Sequence, residues 1–301
     1  HTEIMTKTKF DMNRFGKEYL DMLRLMGDGK KLIALPDKVD YPYESAALLY
    51  NKSIFDKFAV PYPKDNMTWD DVLELAKKFN RLEGGVQYRG LVNIGLPNVL
   101  RSQFGLQYTD RNDTVDLSAP QWAQMVKYVK DLAVAQDNLD LVVNANVNPF
   151  LKEQTAAMLA GVVTTAFSNI EESEGKVDWN MVTLPRIWGS QDVTLPGSSG
   201  FYAITSTSKN KEAAAQLLQA IYDSNTAKAN IERPVLAKRN LAAIKDKKRA
   251  IPVAGRYDGA LTTILNNKLL EMIKQNKDVN TVIREMTEEM QKRVDQDKPK
   301  K

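Results

Sequence analysis

The chain has 301 residues, no cysteine and a single histidine, His1, so disulfides, thiolate metal sites and cysteine nucleophiles are excluded, and a Ser-His-Asp triad or a histidine metal site lacks its residues. Hydrophobic residues at 43% and charged residues at 27% describe a globular chain with enough length for two domains. The net charge of +4 gathers in Lys245-Asp246-Lys247-Lys248-Arg249 and Lys298-Pro299-Lys300-Lys301, without the interleaved aromatics of a nucleic-acid surface, and no apolar run has the length of a membrane span.

In chain order, residues 10–27 read as a helix, with Phe15, Tyr19, Met22, Leu23 and Met26 at helical spacing. Leu32 to Leu35 is an apolar run ended by Pro36. A polar stretch, Asp37 to Glu44, separates it from Ala46-Ala47-Leu48-Leu49-Tyr50, which is short enough for a buried strand. A strand, an irregular crossing and a second strand could carry the chain between two globular halves, although a loop within one sheet fits the same residues. Asn51 to Phe58 is a short helix. Thr68 is placed to cap a further helix, and Asp70 and Asp71 suit its positive end. Tyr88 to Val92 reads as a strand.

Ser118-Ala119-Pro120 opens a long helix with Trp122, Met125, Val126, Val129 and Leu132 inward. Asn138 to Asn148 is loop-like. Ala156 to Leu159 reads as a strand, Ala166 to Ser173 as a helix and Trp179 to Leu184 as a strand. Arg186 to Gly200 carries Gly189, Pro196, Gly197 and Gly200 and is the most loop-like stretch. Phe201 to Thr205 is strand-like, a helix runs to Tyr222, and Asn225 to Ile231 is another. Two apolar stripes close the chain: Leu261, Leu265, Leu269 and Met272, then Val279, Ile283, Met286, Met290 and Val294. Methionines at this spacing predict core packing. Trp69, Trp122 and Trp179 each sit in an apolar pattern and are expected in the core. Short apolar strands separated by helices predict α/β organisation with largely parallel sheets.

Six local motifs occur in one order. GKKLIALP spans Gly29 to Pro36, and LLYNK with Ile54-Phe55 follows at Leu48. PYPKDNMTWDDVLELA runs from Pro61, Phe150 to Met158 carries Lys152 and Ala157-Met158, Trp179 to Pro185 forms a strand end, and Gly200 leads into Ser208-Lys209-Asn210-Lys211. Through them the chain resembles the family 1 extracellular solute-binding proteins of bacterial ABC importers, which include the maltose-binding protein. The resemblance implies a two-lobed periplasmic-binding-protein-like fold of the class II type, each lobe a sheet flanked by helices. Family members begin with a strand, a helix and further strands that have no counterpart among these residues, so the first lobe is expected to be incomplete. Lobe 1 is expected at 1–43 and 202–252, lobe 2 at 46–200 and 253–301, with crossings near 43–46, 200–202 and 252.

The resemblance also implies a function and a site. The expected activity is capture of a saccharide, in the first instance an oligosaccharide, in the cleft between the lobes. Delivery would be to an ABC-importer permease, by an extracellular monomer anchored as a lipoprotein or free in the periplasm, with no cofactor, metal or nucleic-acid partner. Sugars stack their C–H faces on aromatic rings and bond through hydroxyls to carboxylates, amides and arginine. Glu44 matches a sugar-contacting glutamate of the family, with Tyr43 beside it. Phe167, in the segment TTAFSNI, stands where the family has a stacking tryptophan, whereas Thr165 replaces an earlier one. Trp188 lies in the glycine- and proline-rich loop. Ser199, Gly200 and Tyr202 fall at the second crossing, and Arg256 and Tyr257 begin a late helix expected to face the cleft. Glu44 as a solvated acid, Tyr43 as a packed strand end and Phe167 as a core ring are the plain alternatives.

Two other functions fit parts of the sequence. A carboxylate-based glycosidase needs two acids set across a sugar. The acid pairs Asp70-Asp71 and Glu171-Glu172 both fall in first turns of expected helices, where capping accounts for them. A ligand sensor that signals to a membrane receptor would use the same fold and cleft.

Overall fold

A computed structural model of the chain describes residues 2–15, 17–25, 31–36, 46–93, 95–110, 112–136, 146–162, 176–187, 201–224, 236–244 and 255–298. In chain order the first elements are α1 (Thr2–Lys7), α2 (Lys17–Leu25), β1 (Leu35–Pro36), β2 (Ala46–Asn51), α3 (Lys52–Lys57), α4 (Trp69–Lys77), β3 (Arg81–Glu83) and β4 (Val86–Asn93). They are followed by α5 (Leu96–Phe104), α6 (Pro120–Gln136), α7 (Asn148–Leu151), β5 (Ala156–Val162), β6 (Trp179–Thr183), β7 (Phe201–Tyr202), α8 (Lys211–Ser224), α9 (Asp258–Gln275) and α10 (Val279–Asp297). The helices expected at Ala166–Ser173 and Asn225–Ile231 lie outside the described residues.

Five strands form one sheet in the order β3-β4-β5-β2-β6, and β1 and β7 form a separate pair. β2 is buried along its whole length because both faces of its sheet are covered. Its side chains alternate. Ala46, Leu48 and Tyr50 enter a large core with α3, α4, α5, α6, α9 and α10. Ala47 and Leu49 enter a smaller core on the other face with Phe150, Leu151, Trp179, Leu236, Ala243 and Ile244. Trp69, Trp122 and Trp179 are buried as expected, and so are Met286, Met290 and Val294 of the last stripe.

The strand–helix alternation predicts parallel pairing, but among the strands of the described residues only β4 and β5 pair parallel; β3 with β4, β5 with β2 and β2 with β6 run antiparallel. Two local causes explain this. Gly84 and Gly85, at φ +59° and +78°, close a two-residue turn that returns the chain against β3. β2 also enters the sheet at the end where β5 and β6 leave it, and so runs against both.

The first unit has its own core of Met5, Phe10, Phe15, Leu20, Leu23, Leu32, Leu35, Ile204, Ala215, Leu218 and Tyr222. Residues 10–27 are not one helix. Asp11 accepts from Asn13 N and caps a 3-10 turn over Met12–Arg14, so α2 starts only at Lys17. The interruption lets Phe10 and Phe15 stack at 6.3 Å and both meet Tyr222 edge-on. Residues 236–244, expected with lobe 1, pack on the five-stranded sheet instead. Asn240 N bonds Asn180 Oδ1 at 2.9 Å, and the Arg239 guanidinium lies 4.4 Å over the Trp179 ring. Together with Asp65, which accepts from Thr183 N at 2.8 Å, this strap covers the outer edge of β6.

A candidate ligand cleft at the junction of the two sheets

Strand register defines where the candidate segments attach. Ala46 pairs with Val162, and Ala47 pairs with Thr183. The amino end of β2 therefore lies beside the carboxyl ends of β5 and β6. The carboxyl end of β4 is on the same side, because Asn93 pairs with Ala160 in the parallel ladder. Ligands of open α/β sheets bind outside the carboxyl ends of strands. Tyr43 and Glu44 precede Ala46 by two or three positions, Phe167 follows Val162 by five, and Trp188 follows Thr183 by five. Tyr43, Glu44, Phe167, Trp188, Ser199 and Gly200 themselves lie outside the described residues.

The same segments connect the two sheets. β1 and β7 pair antiparallel, Leu35 with Tyr202 and Pro36 with Phe201. Residues 37–45 run from β1 to β2, and residues 184–200 run from β6 to β7. Two crossings thus leave one small sheet at adjacent positions and reach one end of the large sheet at adjacent positions.

The root of the second crossing is fixed by hydrogen bonds. Arg186 N donates to Met67 O, and Arg186 O accepts from Trp69 N, both at 3.0 Å. Gln103 spans two partners: its Oε1 accepts from Trp69 Nε1 at 2.7 Å, and its Nε2 donates to Pro185 O at 2.8 Å. Trp69 is buried, and its carbonyl accepts from Tyr128 OH. Pro185 and Arg186 are therefore held from both the main chain and the Gln103 side chain.

Three sequence candidates can be placed. The Tyr202 ring turns toward the first-unit core and meets Tyr222 edge-on at 6.0 Å. Its neighbour Phe201, absent from the sequence candidates, is 43% exposed. The two-residue period of a strand is the signal that separates them, once a core contact fixes which face is inward. Arg256 is exposed in the turn before α9. Tyr257 is buried in the large core, and its hydroxyl has no hydrogen-bond partner among the described residues. Next to it, Asp258 receives Arg101 Nη2 at 2.9 Å, and Arg101 also covers the Tyr108 ring. Burial pushes the Asp258 carboxyl above its ordinary value, against the pull of Arg101.

Other charged features have structural partners. Asp71 accepts from Thr68 N at 2.8 Å and from Thr68 Oγ1 at 2.7 Å, completing a capping box at α4. A groove between α9 and α10 is lined by Lys268, Glu285 and Glu289, and Lys268 pairs with both glutamates. Among the described residues, no group of three His, Asp or Glu side chains could hold a metal ion, and no helix is long and apolar enough to cross a membrane.

Residues 7–249 match the family model of bacterial extracellular solute-binding proteins. The chain belongs to this family. Solved structures agree on the fold of this solute-binding protein. An ABC substrate-binding protein from Listeria monocytogenes in complex with cycloalternan superposes with a TM-score of 0.73 at 17% identity, covering 97% of this chain and 79% of that one. A structure with mannotriose bound gives 0.74 at 16% identity, covering 94% and 78%. A solute-binding protein from Agrobacterium radiobacter in complex with ribitol gives 0.68 at 16% identity, covering 97% and 79%. No curated protein matches the sequence. The solute-binding protein therefore has the two-lobed periplasmic-binding-protein-like fold.

Proposed function

We propose that this solute-binding protein captures a saccharide, an oligosaccharide in the first instance, between its two lobes and presents it to an ABC-importer permease. Tyr43, Glu44, Phe167, Trp188, Ser199 and Gly200 would form the site. The observation that carries this reading is the register: Ala46, Val162 and Thr183 meet at one sheet end, so segments bearing two tyrosine- or phenylalanine-type rings, a tryptophan and a carboxylate all attach there. Rings beside a carboxylate are the chemistry of sugar recognition. The bound cycloalternan and mannotriose of the similar structures support the same class, and the bound ribitol adds polyols to it.

The lobes would close on the ligand by rotating about the crossings near 43–46, 200–202 and 252, and the closed form is what a permease would read. No bond in the sugar would change. The protein would act outside the cell as a monomer, held at the membrane by a lipid anchor; the family's extracellular character supports the location.

Thermal unfolding with cycloalternan, mannotriose, maltose and ribitol tests the proposal. A ligand that binds only the folded state at 100 times its dissociation constant stabilises it by about 2.7 kcal/mol. A rise in midpoint with one carbohydrate class is the expected result. The absence of a shift with every one of them, or turnover of an aryl glycoside, overturns it.

A further inference from the structure

We infer that β3 is a self-complementary docking edge through which two copies of this chain pair reversibly, antiparallel and edge to edge. The inference goes beyond the saccharide reading and does not depend on it, since each copy captures its ligand as a monomer. The two edges of the five-stranded sheet are unlike. Residues 236–244 and Asp65 cover the outer edge of β6, whereas β3 ends the sheet with Arg81, Leu82 and Glu83 all exposed. No main-chain hydrogen bond from another described segment reaches these three residues. An edge strand templates pairing with another chain unless charge, proline, a bulge or a cover blocks it.

The register fixes which groups are open. Gly84 and Gly85 close the turn, and Arg81 pairs with Tyr88, Leu82 with Gln87 and Glu83 with Val86. In a two-residue hairpin the pair next to the turn exchanges both hydrogen bonds and the next pair exchanges none, so the Leu82 N–H and C=O point outward. The Leu82 side chain is 71% exposed, the highest value among the large hydrophobic side chains of the described residues. Val134, also exposed, lies at the same rim: Gln87 Nε2 donates to Asn80 Oδ1 at 3.1 Å, and Asn80 Nδ2 donates to Ala135 O at 3.0 Å. Arg81 and Glu83 share the opposite face. The Arg81 guanidinium lies 4.5 Å over the Phe58 ring, and Glu83 stands 3.9 Å from Lys57 Nζ.

The order Arg-Leu-Glu selects the partner. An edge of one charge sign repels a second copy, but here opposite charges flank one apolar residue. With a two-fold axis through Leu82, the two Leu82 residues exchange N–H to C=O bonds. Arg81 of each copy then faces Glu83 of the other, at the closely spaced positions of the ladder. Parallel pairing in register would set like charges side by side, so the charges also choose the antiparallel sense. The interface is isologous, as closed dimers require. Three residues a side make it small, which places the pair in the weak, transient class.

Sedimentation equilibrium of the whole chain at low salt, over about a hundredfold range of concentration, tests the inference. Wild type is expected to gain mass toward the dimer as concentration rises. Arg81→Glu and Glu83→Arg each set like charges opposite one another, and each is expected to weaken pairing about tenfold. Mixed together, the two variants are expected to pair, because an all-acidic edge then meets an all-basic one. The double variant Arg81→Glu with Glu83→Arg restores complementarity and is expected to pair as wild type does. Circular dichroism and the unfolding midpoint check that each variant is folded. A wild type of monomer mass at every concentration overturns the inference. So do single variants that pair as wild type does, or a mixture or double variant that stays monomeric. Saccharide titrations are read separately, so the pairing and the carbohydrate reading fail independently.

Discussion

Arg101 and Asp258 form an ion pair at 2.9 Å, with the Arg101 side chain only 7% exposed and the Asp258 side chain 23% exposed. It joins the last turn of α5 to the first turn of α9. Removing one member leaves the other buried without its counter-charge. Asp258→Asn is expected to cost about 3 kcal/mol in urea unfolding. Replacing both partners, Arg101→Met with Asp258→Asn, is expected to recover part of that loss, because neither charge then remains buried.

The Gln103 bridge makes a prediction that separates folding from binding. Gln103→Leu leaves the buried Trp69 indole N–H without an acceptor, at a cost of about 1–3 kcal/mol. It also frees Pro185 O, at the root of residues 188–200. Saccharide affinity is therefore expected to fall by more than the change in stability explains, measured by titration well below the unfolding midpoint. Unchanged affinity in a folded Gln103→Leu protein would remove the bridge from any account of the cleft.

Gly90 in β4 faces the α4 backbone so closely that an added Cβ would lie 2.1 Å from Ala76 O and 2.3 Å from Ala76 Cα. Backbone atoms cannot swing aside. Gly90→Ala is expected to force α4 away from the sheet and destabilise by about 1–3 kcal/mol or more. Ala76→Gly should not rescue it, because the clash is with main-chain atoms. The double variant in thermal unfolding checks this.

The α4 capping box links stability to acid. The hydrogen bonds from the Thr68 side chain and backbone hold the Asp71 carboxyl below its ordinary value. A depressed carboxylate stabilises the fold above its unfolded-state value, and that contribution is lost as pH falls through the lower, folded value. Thr68→Ala is expected to cost about 1 kcal/mol near neutrality. The difference from wild type should narrow as pH falls below the ordinary carboxylate range, measured by urea midpoints across pH.

Much of the fold was legible because local physics is written locally. Thr68 and Asp71 name the α4 cap, Ala46–Tyr50 names a buried strand, and the Leu261–Met272 and Met286–Val294 stripes name two core helices. The order of six short motifs also carried the family. Other features were not legible, because they depend on residues far apart in the chain. No pattern near β2 says that it will run against β5 and β6. The break at Asp11 depends on where Tyr222 waits to receive Phe10 and Phe15. Residues 236–244 read as part of the first lobe until Asn180 and Trp179 offer them partners.

For the proposed site, the sequence by itself determined the residue types and the segments: Tyr43 and Glu44 before β2, Phe167 after β5, Trp188 after β6 and Gly200 before β7. Only the tertiary structure decided that Ala46, Val162 and Thr183 bring those segments to one end of one sheet. It also decided that Tyr202 faces the core, that Phe201 faces water and that Tyr257 is buried. The reason is physical. Composition sets what a side chain can do, but which of two adjacent strand residues is free to do it depends on which face the rest of the chain covers.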